Sequence, residues 1–288
     1  MQNPLIQKKI NPLISLMRQP KIYVRLPSQG QYWAEGSIIT TETSEYPVYS
    51  MTAKDELMLK TPDALLNGQA VVNVIQSCIP NITNAWAAPS LDLDALLIAI
   101  RLATYGESME TTITVAKEEA TYTVDLRSLL DQLYSTVTWE ERIEVNDSMI
   151  IYVKPLSYKE LSKTSVETFE TQRIMNIVND DTMEEEKKLE LFKTSFNKLT
   201  QVTLGIISDS IYKIDTVEGS VTDADFIAEF INNCDRDIFN SVQEHLNMLK
   251  ERNAIKPMKV QATPEMIAVG VSSEIEVPII FDASTFFV

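Results

Sequence analysis

Residues 51–68 read MTAKDELMLKTPDALLNG, and their helix punctuation is dense enough to decide the class of the fold. Thr52 stands three residues before Asp55, the spacing of a capping box with Asp in place of Glu, and predicts a helix starting at Ala53. Thr61-Pro62-Asp63 then offers a second N-cap, a proline at the first helical position and an acid in the first turn, while Asn67-Gly68 supplies a stop with positive φ at the glycine. Two short helices in immediate succession need neighbours to bury their apolar faces.

Those neighbours lie on both sides. Downstream, Val71, Val74, Ile75, Cys78 and Ile79 form one stripe of a third helix that stops at Pro80, and Ser90 opens a fourth that carries Asp92 and Asp94 early and ends at Gly106. Upstream, Lys21–Leu26 reads as a strand followed by the turn Pro27-Ser28-Gln29-Gly30, and Tyr46–Met51 as a second extended stretch. Residues 21–107 thus read as a helical unit with short leading strands. Residues 1–20 read as an arm, because Pro4, Pro12 and Pro20 forbid a long helix.

Beyond Gly106 the apolar period switches to two. Thr112–Val115 and Thr121–Val124 flank Lys117-Glu118-Glu119 as a hairpin; a short helix at Leu126–Leu133 follows, then a second hairpin, Arg142–Val145 with Ile150–Val153, completing a small β-hairpin module over residues 108–156. Residues 157–256 read as helical, with starts at Ser157/Glu160, Thr182/Glu185 and Thr222/Asp225. Leu189, Phe192, Phe196, Leu199 and Ile206, interrupted by Thr203, give fewer than three heptads, so the stripe reads as core-facing rather than as an intermolecular coiled coil, although the spacing permits either. Residues 257–288 return to strand character through Ile275, Val277, Ile279 and Phe281, ahead of Phe286-Phe287-Val288. The expected fold class is α+β: a helical N-terminal unit, the hairpin module, a helical C-terminal section and a terminal β segment.

Composition narrows the function. The formal charge of −16 repels a phosphate backbone, and the only basic pairs, Lys8-Lys9 and Lys187-Lys188, make no patch, so nucleic acid is not the expected ligand. No apolar run is long enough for a membrane span or shaped like a secretion signal, and two cysteines, Cys78 and Cys234, fit a reducing compartment. One histidine, His245, leaves little scope for a nucleophile and base pair, and seven scattered glycines write no phosphate loop. The carboxylate pairs Asp92/Asp94 and Asp223/Asp225 could share a metal or acid–base work, but both fall in first turns, where the helix dipole favours acids. Neither a cofactor nor a metal is expected, and two cysteines far apart in sequence cannot close a zinc site.

The ordered motifs Leu26-Pro27-Ser28-Gln29-Gly30, Glu35-Gly36-Ser37-Ile38, Tyr49–Glu56, Lys60–Gly68, Ser77-Cys78-Ile79-Pro80 and Leu91–Arg101 resemble the baseplate hub and hub-assembly proteins of T-even-like contractile-tailed bacteriophages, as does the ending Pro278–Val288, an acidic residue followed by a double phenylalanine. The resemblance implies a non-enzymatic protein that binds other tail or baseplate proteins, as a hub subunit or a chaperone. It also implies residence in the host cytoplasm during assembly and, for a hub subunit, retention in the virion tail. Family members often carry Cys-x-x-Cys zinc knuckles in hairpins; Val115–Glu119 and Ala262–Val271 hold those places here without cysteine, so no metal is carried over. Lys54, Lys60, Asp63 and Asn67 are polar positions that capping alone does not require and form the expected interaction face, with Phe286 and Phe287 as a second contact. The rival readings are a metal enzyme built on Asp92 and Asp94, and an acidic decoy that mimics nucleic acid.

Overall fold

The structure, a computed structural model, describes residue 13 and residues 17–61, 68–178 and 185–279. It is α+β, with a first core built on the expected helical unit. Strand β1 (Pro20–Arg25) pairs antiparallel with β2 (Glu45–Tyr49), Val24 opposite Tyr46, so that Val24, Tyr46 and Val48 turn inward. Helix α1 (Ala53–Leu59) starts at the expected box: Thr52 N donates to Asp55 Oδ2 at 2.7 Å, and Asp55 N donates to Thr52 Oγ1 at 3.3 Å. Of the second expected start, Thr61 follows α1 and donates its N–H to the Met58 carbonyl at 3.1 Å, while Pro62 and Asp63 lie outside the described residues. Gly68 has the expected positive φ, 75°, and its observed place is the N-cap of α2 (Gln69–Cys78).

Helix α3 (Ser90–Tyr105) is the centre of this core. Leu96, Ile98, Ala99 and Ile100 are wholly buried beneath β1, β2, α2 and α4 (Leu126–Thr136). Its apolar residues cover nearly the whole circumference, the pattern of a helix buried all round. Gly106 ends it with φ 96°.

Strands β3 (Ser108–Val115) and β4 (Glu118–Asp125) form the first expected hairpin, with one correction: the turn is Ala116-Lys117, and Glu118 and Glu119 pair with Val115 and Thr114. A two-residue loop that matches strand twist needs positive φ at both positions, here 52° and 75° on non-glycine residues, which is why the sequence hid it. The second hairpin, β5 (Arg142–Asn146) and β6 (Met149–Val153), does not sit in a sheet with the first. It joins β7 (Ile211–Thr216) and β8 (Gly219–Val221) in a four-stranded antiparallel sheet ordered β5-β6-β7-β8. Reading residues 157–256 as helical missed β7 and β8. A register shift at Tyr152/Val153 lets Ile211 and Ile214, three apart, both reach the core, so β7 lacks the period of two.

That sheet carries the second core, in which Ile151, Val153, Ile207 and Ile214 meet Ile227 of α7 (Ala224–Asn233) and Val242 and Leu249 of α8 (Arg236–Asn253). The cap of α7 is Asp223, which accepts from Asp225 N and Phe226 N, rather than Thr222. Between β6 and β7 the chain makes a helical hairpin, α5 (Tyr158–Val178) and α6 (Glu185–Ser210). The Ser157/Glu160 box opens α5, with Ser157 N donating to Glu160 Oε2 at 2.6 Å; the box at Thr182 lies outside the described residues. Last, β9 (Met258–Gln261), α9 (Pro264–Ala268) and β10 (Glu274–Val277) fold against β4, where Met266 and Ala262 cover Ala120 and Tyr122 donates its hydroxyl to the Gln261 carbonyl at 3.1 Å.

Candidate protein-interaction surface

The α5–α6 hairpin stands apart in its composition. Among the described residues none between Leu161 and Leu204 belongs to any of the hydrophobic cores. Over residues 186–202 the positions of α6 that are not exposed are Lys188, Leu191, Ser195, Lys198, Leu199 and Val202, a seam in which Lys198 pairs with Glu170 of α5 at 3.0 Å and Ser195 is buried. The stripe read from the sequence lies one position round the helix. It was expected to face the core, and that is corrected here: Leu189, Phe192 and Phe196 are 54, 47 and 58% exposed, as is Phe169 on α5 at 54%. An i, i+4 pairing stacks the Phe192 and Phe196 rings, centroids 6.5 Å apart and planes 18° from parallel. Leu199 and Ile206 of the stripe are half-buried, and Ile206 stands next to Ile207 of the second core without joining it.

The other expected interaction residues are placed as follows. Lys54 and Lys60 are exposed at the two ends of α1, with exposed Leu57 between them. Asp63, Asn67, Phe286 and Phe287 lie outside the described residues, as does Phe281 of the alternating tail. Asp55, in the same motif, is buried and serves more than a cap: it also accepts from Ser77 Oγ at 3.0 Å and lies 3.6 Å from the Arg18 guanidinium, anchoring the segment before β1.

Asp92 and Asp94, two residues apart on α3, face different surroundings, since a helix turns them about 200° apart. Asp92 is fully buried, and its oxygens accept from Ser28 N at 2.7 Å, Ser28 Oγ at 2.5 Å and Trp33 Nε1 at 2.8 Å. Burial pushes its carboxyl up to about 6 against the opposite pull of these donors. The acid therefore pins the Pro27–Gly30 turn onto α3, a role that the sequence could signal only through partners some sixty residues away. Asp94 lines a cavity on the other side. Asp223 is a helix cap and Asp225 lies in the first turn behind it. Among the described residues no group of three or more His, Cys, Asp or Glu is arranged to hold a metal, and no helix is long and apolar enough to cross a membrane. His245 Nε2 lies 2.8 Å from the Glu140 carbonyl oxygen, a tie between α8 and the strand-leading segment.

The sequence matches the family model described as T4 bacteriophage base plate protein over residues 19–269. No curated protein and no solved structure matches the chain.

Proposed function

The chain belongs to the T4 bacteriophage base plate protein family, and from that premise we propose that it acts as a hub subunit or hub-assembly factor, by binding other tail proteins and without chemistry of its own. The observation that carries this reading is the distal part of the α5–α6 hairpin, a long excursion that between Leu161 and Leu204 contributes no described residue to the cores yet holds Phe169, Leu189, Phe192 and Phe196 in solvent. Exposed apolar stripes on soluble proteins mark contacts, and full burial of each such side chain is worth about 1.5–3 kcal/mol. Lys54 and Lys60 on α1, with Asp63 and Asn67 beyond them, form a second contact face, and Phe286 and Phe287 a third. Assembly in the host cytoplasm followed by a place in the tail fits this role, and a charge of −16 argues against nucleic acid. The metal-enzyme alternative is weakened by the opposed directions of Asp92 and Asp94, and the decoy by the mixture of Glu and Lys along α6.

Co-expression with baseplate proteins of the same phage, read by size exclusion and mass, tests the proposal. The doubly substituted chain Phe192→Asp, Phe196→Asp is expected to melt with the parent and to lose its partner. Undiminished co-migration of that variant would overturn the assignment of the hairpin.

A further inference from the structure

A cavity of about 590 Å³ opens at the junction of the two cores, where the start of α3, the end of α4, Trp139, α5, the last third of α6 and α8 meet. Its walls are largely apolar, with Leu91, Leu133, Trp139, Leu161, Ile207 and Leu246 in the lining. Two charged residues line it, Asp94 and Lys250. No hydrogen bond or ion pair among the described residues reaches the Asp94 carboxylate, and Lys250 is exposed at the rim with no ion pair to it. The contrast with Asp92, whose oxygens take three donors, is chemical: an isolated carboxylate against apolar walls is costly until a cation arrives.

The cavity is also continuous with the exposed stripe. Leu189, Phe192, Phe196, Leu199, Thr203, Ile206 and Ser210 recur at alternating steps of three and four along one face of α6, and Thr203, Ile206 and Ser210 line the cavity. From Leu189 to Thr203 is about 21 Å of helix, so a segment docked on the phenylalanines is led along the face into the cavity. We infer that the cavity receives a lysine or arginine side chain from a protein segment docked along α6, its aliphatic stem against Leu133, Trp139 and Leu161 and its charged head on Asp94. A long cationic side chain matches this lining because its stem is apolar and only its tip needs a partner. The inference rests on the docking reading of the hairpin, and the test separates the two.

The full chain, isotopically labelled, is titrated with the peptide acetyl-Leu-Arg-Leu-amide and with its neutral, nearly isosteric citrulline counterpart, while the Trp139 indole and the methyl groups of Leu133, Leu161 and Ile206 are followed by NMR. Saturable shifts at these groups are expected with the arginine peptide, at least tenfold weaker with citrulline or with Asp94→Asn, whose fold is checked by its melting temperature. No saturable shift, or equal binding by either control, overturns the assignment. Co-migration with baseplate proteins distinguishes the layers. A Phe192→Asp, Phe196→Asp chain that still binds its partner sinks the docking reading. An Asp94→Asn chain that binds as strongly as the parent, while the stripe variant does not, sinks the cavity assignment alone.

Discussion

Asp94 destabilises the folded chain at neutral pH, and the sign follows from its surroundings. Burial pushes its carboxyl up to about 6 from the ordinary 3.8, so between those values the folded state holds more proton than the unfolded one, and stability falls as pH rises through that window. Asp94→Asn is therefore expected to raise stability at pH 7.5 by about 1–3 kcal/mol, a gain that shrinks as pH falls through the window and vanishes about two units below 3.8, where the acid is neutral in both states. Identical melting curves at pH 7.5 would show that the carboxylate is already satisfied. Asp92→Ala runs the other way: two buried donors of Ser28 and the half-buried Trp33 indole lose their acceptor, and a loss of about 2–4 kcal/mol follows, read from denaturant midpoints. Gly68 is constrained twice, by its φ of 75° and by a Cβ that would lie 2.7 Å from Ser162 Oγ and 3.0 Å from the Tyr158 hydroxyl. Gly68→Val should cost about 1–3 kcal/mol, and a pairing with Ser162→Ala should recover part of it. Of these three positions only the glycine's conformation was legible in the sequence. Caps such as Thr52 and Ser157 are legible because their partners sit three residues away; the partners of Asp92 are Ser28 and Trp33, and those of Gly68 lie on α5.

At the scale of the element, periodicity gives an apolar face but not its cover. The heptad spacing of Leu189, Phe192, Phe196 and Leu199 was visible, yet of these only Leu199 shares the inward seam of α6, where it joins Lys188, Leu191, Ser195, Lys198 and Val202 in a mixed polar and apolar row. Helix α5 explains the difference: it presents Thr171 and Glu170 to this seam, a surface that suits Ser195 and Lys198 better than phenylalanine. The buried Ser195 hydroxyl finds no hydrogen-bond partner among the described residues. Ser195→Ala is accordingly expected to leave the hairpin unchanged or stabilise it by up to about 1 kcal/mol, through relieved desolvation and better helix propensity. Slower amide exchange along α6 would register the gain, and faster exchange would mean that the hydroxyl has a partner. Strand β7 escaped for a related reason, since a bulged register replaces alternation with a three-residue step.

At the scale of the molecule, long-range ties hold the two cores side by side. Glu141, at the edge of the second core, accepts from Tyr32 of the turn region after β1 at 2.6 Å and from Tyr212 of β7 at 2.9 Å, and Ser90 N donates to the Leu156 carbonyl where α3 begins. The four-stranded sheet closes without the distal hairpin, because β6 and β7 pair directly, Ile151 opposite Ile214. The hairpin is thus an insertion whose ends the sheet already brings together. Its two helices remain adjacent at Glu170 and Lys198, whose charged ends are 3.0 Å apart, and packed helices lie about 8–10 Å from axis to axis, a gap that three or four linker residues span. Replacing residues 171–197 by a short Gly/Ser linker removes Phe192, Phe196 and no residue of any core among those described. The shortened chain should lose helical signal in proportion and melt cooperatively within about 4 °C of the parent, since ~1 kcal/mol moves a domain of this size by about 2–4 °C. It should no longer migrate with baseplate partners. A fall of well over 10 °C, or a second unfolding transition, would show that the hairpin braces the cores, and retained partner binding would move the docking surface to α1 or to the segment beyond β10.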